Sequence, residues 1–387
     1  MRLPRALVLL APLLAAATAL PLRAETPQPN GLVYVLNSGE ANILVLDGAT
    51  RQEVRRIPVL REVHHLALTP DGKTLLVGDS GANEMLFIDP RTGEMVKREA
   101  LSNPYHLGFS PDGKALVITS LRRDQVDIYG WDGEKLTLTN RLRLPDMPSH
   151  MAFSPDSKFA YITLQGTRSL TAIELSTGKP VWDLNVGPQP AGVIWHNGKL
   201  LVGIMGSDYV AVVDPATQQI ERRIRVGRGA HALFPGPARG DKPGLLYVTS
   251  RVDSRITVLD PASLDIVKVL DVPGGPDCVS FDPAGRMWVT QRWLGRIALV
   301  DPDSGVVESQ HVGRSPHGIL FEPTAAATPV AMGPAVPVAA LPLVPAAHAA
   351  GTGASNAPAV PEDEVQRPAP AAEPPAGRRL FNSRAPR

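Results

Sequence analysis

Histidine recurs at matched places in this chain. His65 precedes "LALTPDGKTLLVGDS", His106 precedes "LGFSPDGKALVITS", His150 precedes "MAFSPDSKFAYITL" and His231 precedes "ALFPG". Neutral imidazole is a good ligand for zinc or copper, and it is also the usual acid or base near neutral pH. Taken repeat by repeat, one slot is filled in turn by His65, His106, His150, Gly192, His231, Cys278 and Gly318. The residue before it is His64, Tyr105, Ser149, Ala191, Ala230, Asp277 and His317. If the repeats form a ring, these side chains gather near one point. His65, His106 and His150 lie on consecutive repeats and are the metal candidates for Zn or Cu, with His64, His231 and His317 as further members. Cys278, on the far side of such a ring, is expected to be too distant to join. A structural use competes with the chemical one, because a histidine in a tight place is also satisfied by backbone groups of a neighbouring strand.

Arginine is the second feature. Arg251, Arg255, Arg292 and Arg296, with Trp293 between the last two, fall in loops of two successive repeats, and Arg122, Arg123 and Arg168 fall in related loops. The guanidinium fork suits a carboxylate or phosphate, and an indole stacks on a flat ligand or base. Solvated loop arginines in an arginine-rich chain are the plainer reading. Asp124 and Asp253 share these loops, so the expected face is not uniformly basic.

Motifs with a fixed chemistry are missing. There is no Gly-rich phosphate loop, no Gly-x-Ser-x-Gly turn and no His-Glu-x-x-His. The single cysteine, Cys278, excludes both a Cys-x-x-Cys-His haem attachment and any intramolecular disulfide. A net charge of +1 over 387 residues gives no global attraction to nucleic acid or membrane surfaces.

The elements that must position these residues lie between two unusual ends. At the start, Arg2 and Arg5 precede "ALVLLAPLLAAATAL", and "LRA" offers a cleavage site after Ala24, with Ala19 as the alternative. That pattern reads as an export signal over residues 1–24 and falls short of the roughly 18 apolar residues of a membrane span. The expected destination is the periplasm, with no membrane span after removal of the signal. From residue 324 the chain is mostly Ala and Pro, which cannot build a packed core, so 324–387 is expected to be a disordered tail.

Between the ends the chain repeats. "NILVLDGAT", "MLFIDPRTG", "LTAIELSTG", "VAVVDPATQ", "ITVLDPASL" and "IALVDPDSG" mark the same strand and acidic turn, and "VDIYGWDGE" fills the gap. Seven copies spaced by about 42 residues match the period of propeller blades. Each copy reads as a short apolar strand, a Pro-Asp-Gly-Lys-type turn, a second strand, a polar loop, a third strand, an Asp-Pro-type turn and a fourth strand. The expected fold class is all-β, a seven-bladed β-propeller of four-stranded antiparallel blades over 25–323. The first copy starts at a second strand and the last ends after a first strand. Residues 317–321 should therefore complete the sheet begun by 32–37 and close the ring.

"YVLNSGEANILVLDGATRQEVRRIPV" and "YVTSRVDSRITVLDPASLDIVKVLDV" resemble the YVTN repeat of bacterial and archaeal propellers, and the whole of 32–323 is similar to exported YncE-like proteins. "GRMWVTQRWLGRIALVDPDSGVV" is also similar, over one blade, to the streptogramin lyase family. The resemblance implies the fold. It implies little about activity, because such propellers serve as binders, surface proteins and enzyme-associated modules.

The reading that follows is an exported, monomeric propeller that binds a small anionic ligand or a protein partner at one mouth of its channel, without catalysis. His65, His106, His150, His231, His317, Arg251, Arg255, Arg292, Trp293 and Arg296 are the residues expected there. One rival is a Zn- or Cu-dependent enzyme or metal carrier using the histidines. The other is a binder of anionic polymer or single-stranded nucleic acid using the arginines and Trp293.

Overall fold

The computed structural model of the chain describes residues 31–323 and the pair 343–344. The proposed export signal, and the tail apart from that pair, lie outside the described residues. Seven sheets form the ring, six antiparallel sheets of four strands and one of five whose added outer strand is parallel. Blades are numbered here by their innermost strands: Val63–Leu68 in blade 2, His106–Phe109 in blade 3, Pro148–Phe153 in blade 4, Pro190–His196 in blade 5, Ala230–Pro235 in blade 6 and Pro276–Phe281 in blade 7. Blade 1 takes its innermost strand, Pro316–Pro323, from the far end of the chain. That strand pairs with Gly31–Asn37, with Val33 opposite Phe321 and Val35 opposite Ile319. Ring closure is thus antiparallel hydrogen bonding between the two ends, and Cys278 is free and buried.

Burial explains the strand composition. Second and third strands such as Leu75–Asp79 and Glu84–Ile88 are buried throughout, because each blade packs face to face against two neighbours. Such strands read as unbroken apolar runs. Outermost strands such as Gln219–Arg225 meet solvent and are mostly polar. The acidic turns hold themselves. Asp47 Oδ1 accepts from the Ala49 and Thr50 amides, and Asp260 and Asp301 repeat the pattern. In the Pro-Asp-Gly-Lys turns Gly72 and Gly113 take φ of +67° and +71°, and Ser157 takes the same conformation at +58°.

Two local departures follow. Leu343–Val344 lies parallel to the outer strand Met95–Ala100 and is the fifth strand of blade 2, so at those two residues the tail is paired. Leu121–Arg123 and Arg292–Leu294 are single 3₁₀ turns between second and third strands. No helix among the described residues is long and apolar enough to cross a membrane.

Candidate functional site

Six of the seven blades carry a bulge at the candidate positions of the innermost strand, whereas in blade 3 His106 stays in the ladder opposite Thr119. In blade 2 the register steps from Val63 opposite Asp79 to Leu66 opposite Val77, which leaves His64 and His65 outside the ladder. Blade 4 steps from Pro148 to Met151 around Ser149 and His150. Blade 7 steps from Pro276 to Val279 around Asp277 and Cys278, and the closing strand carries His317 and Gly318 in the same place. A bulge turns side chains away from the regular alternation of a strand, here toward the channel.

Blade 6 corrects the sequence alignment. Its bulge runs from Ala230 opposite Ser250 to Leu233 opposite Val248, so the two displaced residues are His231 and Ala232. His231 is therefore the counterpart of His64, Ser149, Asp277 and His317, and Ala232 is the counterpart of His65 and His150. Inter-blade threonines repeat this frame. Thr163 Oγ1 donates to the Ala191 carbonyl of the next blade and accepts from the His150 amide. Thr249 does the same with Asp277 and Ala232, and Thr290 with His317 and Cys278. The corrected inner ring is His65, His106, His150, Gly192, Ala232, Cys278 and Gly318, three imidazoles and a thiol beside three small residues.

His65, His106 and His150 converge. One ring nitrogen from each lies within 4.8 Å of the other two. Ring centroids are 4.5 Å apart for His65 and His106, 4.9 Å for His106 and His150, and 5.0 Å for His65 and His150. Nε2 of His65, Nδ1 of His106 and Nε2 of His150 are buried without a hydrogen-bond partner. Burial is the main force on their protonation, reinforced by the neighbouring imidazoles. It holds His65 and His150 well below the usual histidine range and brings His106 to about 4. At neutral pH all three rings are uncharged. An ion about 2.0–2.1 Å from three nitrogens in tetrahedral geometry needs them about 3.3 Å apart, so small side-chain rotations reach coordination distance. His150 is oriented from behind. Its Nδ1 lies 2.8 Å from Ser149 Oγ, which accepts from Gln165 Nε2 at 2.8 Å. In the tautomer that donates Nδ1–H to Ser149, the unpartnered Nε2 presents its lone pair to the cluster.

His231 and His317 belong to a second group, built on Asp277. The carboxylate is wholly buried and pairs with Arg251, with His231 Nδ1 at 2.9 Å and with Arg292 Nη1 at 3.5 Å. Burial alone would raise its pKa. The Arg251 guanidinium and the His317 and His231 rings outweigh that and hold it well below the usual carboxylate range. Arg251 donates to His231 Nε2 at 2.9 Å, and Arg292 donates to His317 Nδ1 at 2.5 Å. His64 sits beside this group, with Nδ1 3.0 Å from His317 Nδ1 and Nε2 3.1 Å from Glu62. Asp277, Ser149 and Gln165 were not singled out from sequence. Asp277 had a signal, since it fills the slot of His64 and His317.

The expectation that Cys278 lies too far away is overturned. One ring nitrogen of His65, one of His317 and the Cys278 sulfur all lie within 4.8 Å of one another. Gly318, which fills the slot between them in the ring order, carries no side chain of its own.

The arginines do not form one exposed patch. Arg251 and Arg292 are buried against Asp277. Arg255 Nε donates to the Val226 carbonyl and Arg296 Nε to Ser309 Oγ, each holding a neighbouring segment. Trp293 is 51% exposed at the mouth, with its ring over Gly275. The polymer-binding reading needs these five groups on one solvent-facing surface, and two of them, Arg251 and Arg292, are buried.

Known structures share the architecture at low identity. A Kuenenia stuttgartiensis hydrazine synthase chain is 16% identical with a TM-score of 0.57, covering 77% of this chain and 99% of that one. A protein of unknown function from Desulfotomaculum acetoxidans reaches a TM-score of 0.64 at 12% identity, covering 75% and 98%. Virginiamycin B lyase from Staphylococcus aureus has a TM-score of 0.54 at 13% identity, covering 66% and 87%. At these identities the likeness is one of fold. No curated protein matches in sequence. The family model described as YNCE-like beta-propeller matches residues 4–326. Its span takes in all seven blades and the strand that closes them, and the chain belongs to the YNCE-like beta-propeller family.

Proposed function

We propose that the protein is an exported propeller whose channel mouth binds a transition-metal ion, zinc or copper, through His65, His106 and His150. The observation that carries this reading is that three neutral imidazoles from consecutive blades, two buried and His106 half-buried, each keep a buried ring nitrogen without a hydrogen-bond partner. Leaving such groups unpaired costs about 1–3 kcal/mol each, a cost that a bound cation removes. A purely structural histidine is expected to be held at its ring nitrogens by charged neighbours, as His231 is by Arg251 and Asp277, each at 2.9 Å. Export to the periplasm rests on the basic and apolar pattern of residues 1–24.

The reading is of a binder rather than a catalyst. The chain purified without chelator should carry about one zinc or copper ion, or take one up on reconstitution, and His106→Ala should abolish the binding of divalent zinc or copper. Elemental analysis finding no ion in either preparation defeats the metal reading. Turnover of a small lactone or cyclic ester by the purified protein, lost in His106→Ala, defeats the non-catalytic one. Export is checked by the N-terminus of protein recovered outside the cytoplasm, expected at Glu25, or at Leu20 if cleavage follows Ala19.

A further inference from the structure

The Cys278 sulfur falls within 4.8 Å of ligand atoms of both His65 and His317. His65 is also a member of the three-histidine group. Two donor sets thus share one imidazole. The first offers three nitrogens. The second offers a sulfur and up to two nitrogens.

We propose that Cys278, His65 and His317 form a second, thiophilic metal position that takes monovalent copper, and that it alternates with the three-nitrogen position because both need His65. This rests on reading the histidine cluster as a metal site.

The donor chemistry separates the two ions. Thiolate is a soft ligand that selects Cu(I), whereas an all-imidazole set suits Zn(II), Co(II) and Cu(II). The second position is as dry as the first. His65 is 7% exposed, Cys278 9% and His317 0%. Nε2 of His65 and Nε2 of His317 are buried without a hydrogen-bond partner. His317 Nε2 is 3.8 Å from Asp277 Oδ2, beyond hydrogen-bonding reach. Since Arg292 donates to His317 Nδ1, the neutral His317 ring carries its proton on Nε2 before an ion arrives. Cys278 and His65 are then the stronger pair, and His317 joins only when its proton moves to Nδ1 and Arg292 turns away. A thiolate with one or two imidazoles suits an ion content with low coordination, which Cu(I) is and Zn(II) is not. Binding exchanges the Cys278 S–H bond for a Cu–S bond and releases one proton to solvent, with no change of oxidation state.

Residue 318 between these blades has no room for a side chain, since its Cβ would lie 2.5 Å from the His64 carbonyl oxygen and 3.1 Å from Leu36 Cδ2.

The test uses two probe ions on the mature chain and three variants. Co(II) reports the nitrogen position by its visible d–d bands. Cu(I), added under anaerobic reducing conditions against a chromogenic chelator, reports the thiolate position by affinity and by near-ultraviolet Cu–S absorption. Wild-type protein should bind each ion alone, show no Co–S charge-transfer band, and lose Co(II) when one equivalent of Cu(I) is added. Cys278→Ser should weaken Cu(I) at least tenfold and leave Co(II) within twofold. His106→Ala should do the reverse, and His65→Ala should lose both. Cu(I) affinity unchanged in Cys278→Ser, or no Cu–S absorption in the wild type, overturns the second position while Co(II) binding leaves the first intact. Simultaneous binding of both ions overturns the sharing of His65. Failure to bind either ion overturns both readings, and the wild-type spectra decide the matter even if a variant misfolds.

Discussion

The buried histidines at this mouth of the channel spend their ring nitrogens in two ways. His231 and His317 accept from arginines that a buried carboxylate neutralises. His65, His106 and His150 each leave one nitrogen unpaired, as His317 does at Nε2, but only His231 and His317 are tied to the buried arginines. This difference separates stability from binding. Asp277→Ala should cost about 3–5 kcal/mol in chemical denaturation, because it strips the carboxylate from buried guanidiniums, while the three-histidine group keeps its geometry. Ser149→Ala should act on binding. It removes the group that orients His150, so metal affinity should fall about 10–100-fold, beside a stability loss of about 1–3 kcal/mol from the Gln165 amide left without its acceptor. Ser149→Thr keeps the hydroxyl and should recover most of that affinity. Equal affinity in Ser149→Ala and wild type, measured by chelator competition, would show that His150 needs no support from behind.

At the scale of strands, the site depends on bulges and on the threonines that tie one blade to the next. Thr163 bonds the carbonyls of His150 and Ala191 and accepts the His150 amide. Thr163→Val keeps the shape and loses those bonds, so it should destabilise by about 1–3 kcal/mol in a thermal or denaturant melt. The loop before the innermost strand of blade 2 carries a pH-dependent contribution. Burial would raise Glu62, but hydrogen bonds from His64 and from Arg122 at 2.7 Å outweigh it and lower its pKa from 4.5 to about 2. A carboxyl with a lowered folded pKa contributes stability above its unfolded value and loses it as pH falls through the folded one. The Glu62 contribution is therefore complete above about pH 4.5 and gone near pH 2. Arg122→Ala should narrow that window, so that melts at pH 3 and pH 6 differ less in the variant than in wild type.

For the whole molecule, closure between Gly31–Asn37 and Pro316–Pro323 sets what can be removed. Ending the chain after Pro323 should leave a folded, metal-competent ring, whereas ending it before Pro316 should yield an insoluble or unfolded product, as circular dichroism and metal titration would show. Much of this was legible in the sequence. Repetition of the acidic turns revealed the blade number, the offset between the two ends revealed the closing pair, and matched slots pointed to His65, His106 and His150. These are periodic features, and periodicity survives in one dimension because each blade buries its faces in the same way. Three features were not legible. His231 was shifted by one place because a bulge changes register without changing composition. Cys278 was judged distant because counting blades around a ring does not measure how closely side chains approach inside it. Arg251 and Arg292 looked like surface charges because Asp277, their buried partner, is remote from Arg251 in the chain. The sequence alone determined the ring and the kind of residue facing its channel; the tertiary structure decided which of those residues meet, because side-chain convergence depends on strand register and on the sizes of neighbours from other blades.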